Sequence, residues 1–244
     1  MQKPKIKNHA SAVEYFNDQA LTYVRNTEHR LSFAERYEVF RTLIEKYASL
    51  DKSDSYAADI GCGNGCISEI LLTSGYRVSL YDGSRMMLDL AEKKLSGYSN
   101  ERWITEEAVL PFSADKLEHL SGQHKIIVLS SVIEYISQWE LVLAQVHEML
   151  ECGGIAIVSF PNRSNWYRLV ERVVLRALRI TRHYSGHIKK YYDVDEVTRS
   201  CEGLGYKIRD KVFYSLPRQE LMKYVFGGRR GRLLSSMFVV VLQK

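Results

Sequence analysis

Short apolar runs bounded by turn residues alternate along this chain with longer stretches whose apolar positions recur at helical spacing. From Ser32 to Leu50, the residues Tyr37, Phe40, Leu43, Ile44 and Tyr47 follow that spacing. Ala57–Ile60 predicts a strand, and Ile67–Thr73 a helix packed through Ile67, Ile70 and Leu71 and closed by Ser74-Gly75. Tyr76–Tyr81 alternates and predicts a second strand. Ser84 can N-cap a helix carrying Met87, Leu88, Ala91 and Leu95. Arg102–Thr105 is a short strand, and the unbroken run Ile126–Leu129 has the character of a buried parallel strand. Trp139–Leu150 predicts a helix with Trp139, Val142, Val146 and Leu150 on one face. Cys152-Gly153-Gly154 breaks it before a further buried strand, Ile155–Phe160. Asn165–Arg182 and Val194–Gly203 predict helices. Tyr206–Tyr214 and Met237–Gln243 are final strands, joined by a connection short enough for antiparallel pairing. The alternation implies an α/β fold, a doubly wound, mostly parallel seven-stranded sheet.

Length and composition fit this picture. The 244 residues suit one large α/β domain, and 45% hydrophobic with 26% charged residues is ordinary for a globular chain. The expected organisation is an N-terminal helical arm or lid over residues 1–50, then a domain over 51–244 with a basic helical insertion at about 161–192. No run approaches the length of a membrane span. The basic start, Met1–Lys7, lacks the apolar core of a signal peptide, which predicts a cytoplasmic protein. Cys62, Cys66, Cys152 and Cys201 form no CxxC pair and no zinc spacing, so they read as free thiols, and no metal site is expected.

Charge is unevenly placed. The net charge is +5, yet Arg163–Lys190 alone holds six arginines and two lysines against one acid, Glu171. Within it, Arg168, Arg172, Arg176 and Arg179 fall on one side of a helix, and Trp166, Leu169, Val170, Val173, Ala177 and Ile180 on the other. Such a helix predicts a solvated lid face, a peripheral membrane contact through residues 165–182, or a docking face for an anionic substrate.

The densest chemistry lies in Asp59-Ile60-Gly61-Cys62-Gly63-Asn64-Gly65, where a strand ends in an acid and a glycine-rich turn opens a helix. Glycines strip side chains from the approach surface, and helix-start N–H groups favour a carboxylate or phosphate. Asp82 ends the next strand, where a carboxylate can accept both hydroxyls of a ribose. A dinucleotide site would continue G-x-G-x-x-G, but Cys66 stands at the last glycine position. The compact form, preceded by an acid, suits a methionine-bearing nucleoside. Asp59 would either cap the next helix, order the loop or meet the ligand's amino group.

Taken together, these segments resemble the class I S-adenosylmethionine-dependent methyltransferases. Asp59–Gly65 is similar to their first motif and Tyr81-Asp82-Gly83-Ser84 to their ribose-binding strand end. Glu106-Glu107-Ala108-Val109-Leu110-Pro111-Phe112 resembles the adenine segment, with Glu106 replacing the usual aspartate. Ile127–Tyr135 resembles the fourth-strand motif, and Leu150–Gly154 the turn before the fifth strand. The resemblance implies S-adenosyl-L-methionine as cofactor and S-adenosyl-L-homocysteine as product. It implies contacts from Asp59, Gly61, Cys62, Gly63 and Gly65 near the methionine part, and from Asp82 on the ribose. Gly83, Met87, Glu106, Glu107 and Ala108 would lie around the adenine, and Ser130 near the amine.

What the cofactor's methyl reaches is less explicit. The resemblance implies a small-molecule acceptor, with oxygen the preferred atom and an anionic or lipid-linked acceptor suggested by similar insertions in ubiquinone-pathway enzymes. Relatives often carry Glu-His where this chain has Glu134-Tyr135, and a tyrosine of ordinary pKa near 10 is a poor base at neutral pH. His187, ahead of His183, is the first candidate base, with Glu134 and Tyr135 as further catalytic candidates. Tyr15 and Tyr23 of the N-terminal arm would close over the cofactor or simply pack. A nucleic-acid methyltransferase is disfavoured, because Ser130-Ser131-Val132-Ile133 replaces the Asn/Asp-Pro-Pro-Tyr/Phe run that holds a flipped base. A non-catalytic cofactor-binding scaffold is the reading from another class.

Overall fold

The computed structural model describes residues 11–28, 31–48, 55–165, 188–215 and 231–244. Seven strands form one sheet in the order β3-β2-β1-β4-β5-β7-β6. They are β1 (Tyr56–Ile60), β2 (Arg77–Asp82), β3 (Trp103–Glu107), β4 (His124–Leu129), β5 (Leu150–Pro161), β6 (Lys207–Tyr214) and β7 (Met237–Gln243). The first five run parallel, while β7 pairs antiparallel with both β5 and β6. The antiparallel pair is the one expected from the sequence.

The central strands are buried on both faces, which explains their unbroken apolar character. In β4, Ile127 and Leu129 face one core, and Ile126 and Val128 the other. In β7, Phe238, Val240 and Leu242 alternate in the same way with Val239 and Val241. The alternation expected in β2 is absent from its burial: Val78, Ser79, Leu80 and Tyr81 are all inside, because helices cover both faces.

One core is roofed by α6 (Trp139–Met149), with α5 (Ala114–Leu120) beside it, and by α7 (Val194–Gly203). The other is roofed by α2 (Leu31–Tyr47), α3 (Cys66–Thr73) and α4 (Arg85–Leu95). Phe40, Leu43 and Ile44 of α2 are buried with β1, β4 and β7 residues in a single cluster. Helix α1 (Ala12–Glu28) instead lies on α4, and α8 (Gly231–Leu234) is a single turn before β7.

The glycine pair at 153–154 behaves differently from expectation. It does not separate helix from strand, because β5 already begins at Leu150. His124 pairs with Leu150 and Ile126 with Ile155, so the intervening residues form a bulge, with Gly153 at φ 79°. The helix expected over Asn165–Arg182 lies outside the described residues except for Asn165, whose buried amide donates to the carbonyl of Leu234 at 2.9 Å.

Candidate active site

The strand order reverses direction between β1 and β4, and the crevice above such a switch point is where open α/β sheets bind ligands. Here a cavity of about 360 Å³ opens at the carboxyl ends of β1, β2 and β4. Its floor is the loop from Asp59 to Asn64, which is pinned at its start: Gly61 N–H and Cys62 N–H both donate to the Tyr81 carbonyl, at 2.6 and 3.1 Å. Gly61, at φ 72°, sits so close under the loop after β4 that a Cβ would lie 2.3 Å from Cγ2 of Val132.

Asp82 holds this floor together. One carboxylate oxygen accepts from Gly63 N–H at 2.8 Å, and the other from Ser84 N–H at 2.8 Å. Burial raises its pKa, and the Ser84 and Gly63 N–H groups oppose that shift. Asp59 is only 1% exposed and accepts from the Ser68 hydroxyl on α3 at 2.6 Å. That burial pushes its carboxyl up to about 7, against the Ser68 hydrogen bond. Its other oxygen, Oδ1, has no hydrogen-bond partner among the described residues, and neither does Oγ of Ser130; both residues line the cavity. Buried polar atoms normally find partners, so these two mark where a polar ligand belongs. Burial drives the Cys62 thiol well above its ordinary pKa, which makes it an inert wall rather than a nucleophile.

The roof comes from the two N-terminal helices. Helix α1 contributes Val13, Phe16, Tyr23 and Val24, and α2 contributes Phe33, Arg36 and Tyr37. Asn17 fastens α1 to the start of α4: its Oδ1 accepts from the Ser84 hydroxyl at 2.7 Å while Ser84 Oγ caps Met87 N–H at 3.2 Å. Gly83 lets α1 descend, since a Cβ there would lie 2.8 Å from Cγ2 of Val13. Phe16 meets Tyr135 edge-on at 5.6 Å.

Of the residues singled out in the sequence, Asp59, Gly61, Cys62, Gly63, Asp82, Gly83, Met87, Ala108, Ser130 and Tyr135 line the cavity. Gly65, Glu106, Glu107 and Glu134 do not. Gly65 takes the left-handed N-cap of α3 and packs against α4, where a Cβ would lie 3.1 Å from that of Ala91. Glu106, on the edge strand, is ion-paired to Lys116 at 2.5 Å, and Glu107 is exposed. The cavity wall begins one residue later, at Ala108, whose N–H donates to the Asp82 carbonyl at 2.9 Å, and continues through Val109 and Leu110. Buried Gln145 fixes this segment, bonding both N–H and C=O of Phe112 at 2.9 and 2.8 Å. Glu134 is buried behind the cavity, its carbonyl accepting from Lys189 N–H at 2.7 Å. His183 and His187 lie outside the described residues. Arg36, Phe16, Phe33, Ser131 and Lys189 line the cavity without having been singled out. Phe16, Phe33 and Arg36 carry only an aromatic and basic signal in helices far from the glycine loop, Lys189 falls in the basic stretch before Tyr191, and Ser131 stands in the fourth-strand motif with no signal of its own.

A mostly parallel sheet with a glycine floor, an acid at the end of β2 and an antiparallel last strand defines a Rossmann-like fold of the methyltransferase type. Sequence and structure comparisons agree with it. The family described as methyltransferase domain matches residues 32–211. Ubiquinone biosynthesis O-methyltransferase of Rickettsia bellii (strain OSU 85-389) is 29% identical over 124 residues, 50% of this chain and 49% of that protein. Malonyl-[acyl-carrier protein] O-methyltransferase of Halalkalibacterium halodurans is 23% identical over 209 residues, 84% of this chain and 72% of that protein. The chain spans about half the length of the first of these relatives. Among solved structures, magnesium protoporphyrin IX methyltransferase from Synechocystis PCC 6803 with bound S-adenosylhomocysteine superimposes with a TM-score of 0.67 at 13% identity, over 95% of this chain and 97% of that one, and so shares the fold. The chain belongs to the methyltransferase-domain family, the class I S-adenosylmethionine-dependent methyltransferases, and S-adenosylmethionine is its cofactor. The cavity fits that group: two orphaned buried polar atoms, a carboxylate at a strand end and a glycine floor free of side chains meet a zwitterionic, ribose-bearing ligand.

Proposed function

We propose that the chain transfers the methyl group of S-adenosylmethionine to a small-molecule acceptor, preferentially at oxygen. The observation that carries this reading is the convergence of Asp59, Asp82 and Ser130 on one cavity whose far wall is aromatic. The bound sulfonium supplies an already activated methyl group, so the protein's task is mainly alignment, which can contribute on the order of 7–11 kcal/mol. Asp82 would hold the ribose diol, and the Gly61–Gly63 backbone would lie along the methionine part. Asp59 Oδ1 and Ser130 Oγ would take the ammonium, and Arg36 the carboxylate. Met87, Ala108, Val109 and Leu110 would flank the base. Phe16, Tyr23, Phe33 and Tyr135 form a wall suited to a flat apolar acceptor. Lys189 on the lining and the basic stretch from Arg163 to Lys190 support an acceptor with an anionic or lipid-linked group. Among the described residues no helix is long and apolar enough to cross a membrane.

Calorimetric titration with S-adenosylhomocysteine should show one site, and labelled methyl groups from S-adenosylmethionine should appear on members of a panel of phenols and carboxylic acids. Binding of NADH without binding of S-adenosylhomocysteine would overturn the reading. Asp82→Asn should weaken S-adenosylhomocysteine about tenfold or more. The amide nitrogen cannot accept from a backbone N–H, so either the loop bond to Gly63 or the bond to Ser84 is lost along with a ribose acceptor. Unchanged affinity would remove Asp82 from the site.

A further inference from the structure

Ser131, the residue that follows Ser130 beyond β4, has a left-handed backbone with φ 59°, a conformation that costs a non-glycine residue free energy and tends to mark functional sites. Two contacts hold it there. Its N–H donates to Oγ of Ser159, a fully buried residue of β5, at 2.7 Å. Its own Oγ accepts from Nη1 of Arg36 at 3.1 Å. The turn therefore knits the ends of β4 and β5 to helix α2 directly at the cavity wall.

Arg36 gains a defined orientation from this arrangement. Its guanidinium is held on one side by the Ser131 hydroxyl and lies over the Phe33 ring at 4.7 Å. No carboxylate among the described residues pairs with it, although it lines the cavity. A guanidinium has five N–H donors in a rigid fork, so one bond to Ser131 leaves others for a ligand carboxylate. A glycine at position 131 would take the left-handed conformation without cost but would bring no hydroxyl. The strained serine is explained if the hydroxyl is what the site needs.

We infer that Ser131 is a positioning residue that aims the Arg36 fork at the carboxylate of the cofactor's methionine end. This rests on the reading of the cavity as an S-adenosylmethionine site. The test is calorimetric titration of the wild-type chain, Ser131→Ala and Ser131→Gly with S-adenosylhomocysteine and with its decarboxylated analogue, which keeps the ammonium and the nucleoside. Both variants should bind S-adenosylhomocysteine about tenfold more weakly, the scale of a lost hydrogen bond to a charged group. Both should bind the decarboxylated analogue within about twofold of wild type. The glycine variant relieves the backbone strain, so a shared loss assigns the effect to the hydroxyl and not to a distorted turn. Equal weakening of both ligands would make Ser131 merely structural, and unchanged S-adenosylhomocysteine affinity would give it no role; either result overturns the inference. Failure of the wild-type chain to bind S-adenosylhomocysteine would instead overturn the cavity assignment, and the inference with it.

Discussion

Gly61→Ala is expected to destabilise the fold by roughly 2–5 kcal/mol and to abolish measurable cofactor binding. Two independent costs combine. A left-handed φ of 72° costs an alanine about 1–2 kcal/mol. A methyl group placed 2.3 Å from Cγ2 of Val132 then overpacks the junction, typically for about 1–3 kcal/mol. The loop cannot lift to relieve the clash without losing the two hydrogen bonds from Gly61 and Cys62 to the Tyr81 carbonyl. The steric part should therefore be recoverable. Val132→Ala in the Gly61→Ala background opens the space, and urea denaturation of the double-mutant cycle should show a favourable coupling of at least 1 kcal/mol. Simple additivity would mean that the two residues do not touch. Gly63→Ala is the contrasting case: φ is 55°, but a Cβ there meets nothing within 4 Å. That variant should fold with only the conformational cost and still lose affinity, because its methyl occupies the ligand's space.

The contrast between these two glycines bears on what could be read in the chain beforehand. A motif of alternating glycines states that a backbone is approached closely. It does not say that Gly61 is approached by Val132 and Gly63 by the ligand cavity, which is a tertiary fact. The buried strands were legible because helices on both faces make them continuously apolar, as in β4 and β7. Helix α5 was not, since it is only seven residues long, with no residue fully buried and a short apolar edge of Leu117 and Leu120 partly packed on the core. The acids at 59 and 82 were legible as site residues because strand ends fix their position. Glu106 and Glu107 rested instead on the resemblance of their segment, and they stand outside the cavity lining, because β3 is an edge strand where Lys116 takes up Glu106 and the lining starts at Ala108. Arg36 joins the cavity only when α2 packs across the end of the sheet, where it meets Ser131 of the loop after β4. Neither residue type carries a local signal for that.

The stability of the unliganded protein should fall between about pH 4 and pH 7 through Asp59, and the Asp59→Asn variant should lose that slope. The folded-state value of about 7 lies above the usual 3.8, with burial as the largest cause. Across that window the folded chain keeps a proton that the unfolded chain releases, so the unfolding free energy declines as pH rises and levels off above about 7. A shift of this size corresponds to at most about 4 kcal/mol. His124 pulls the other way: burial lowers its pKa to about 4, which adds stability as pH rises through the range below 6.5. The informative quantity is thus the difference between wild-type and Asp59→Asn melting temperatures from pH 5 to pH 8. The asparagine can still accept from Ser68, so the variant should be the more stable protein at pH 8. Parallel pH profiles would show that Asp59 is ionised throughout. Cofactor binding extends the argument, because an ammonium beside Oδ1 favours the ionised carboxylate and compensates its burial. S-adenosylhomocysteine should therefore bind more tightly at pH 7 than at pH 6 and release a proton, seen as a dependence of the binding heat on the buffer's ionisation enthalpy. Asp59→Asn should bind with no such release, which separates a carboxylate that waits for a positively charged ligand from one that only caps α3.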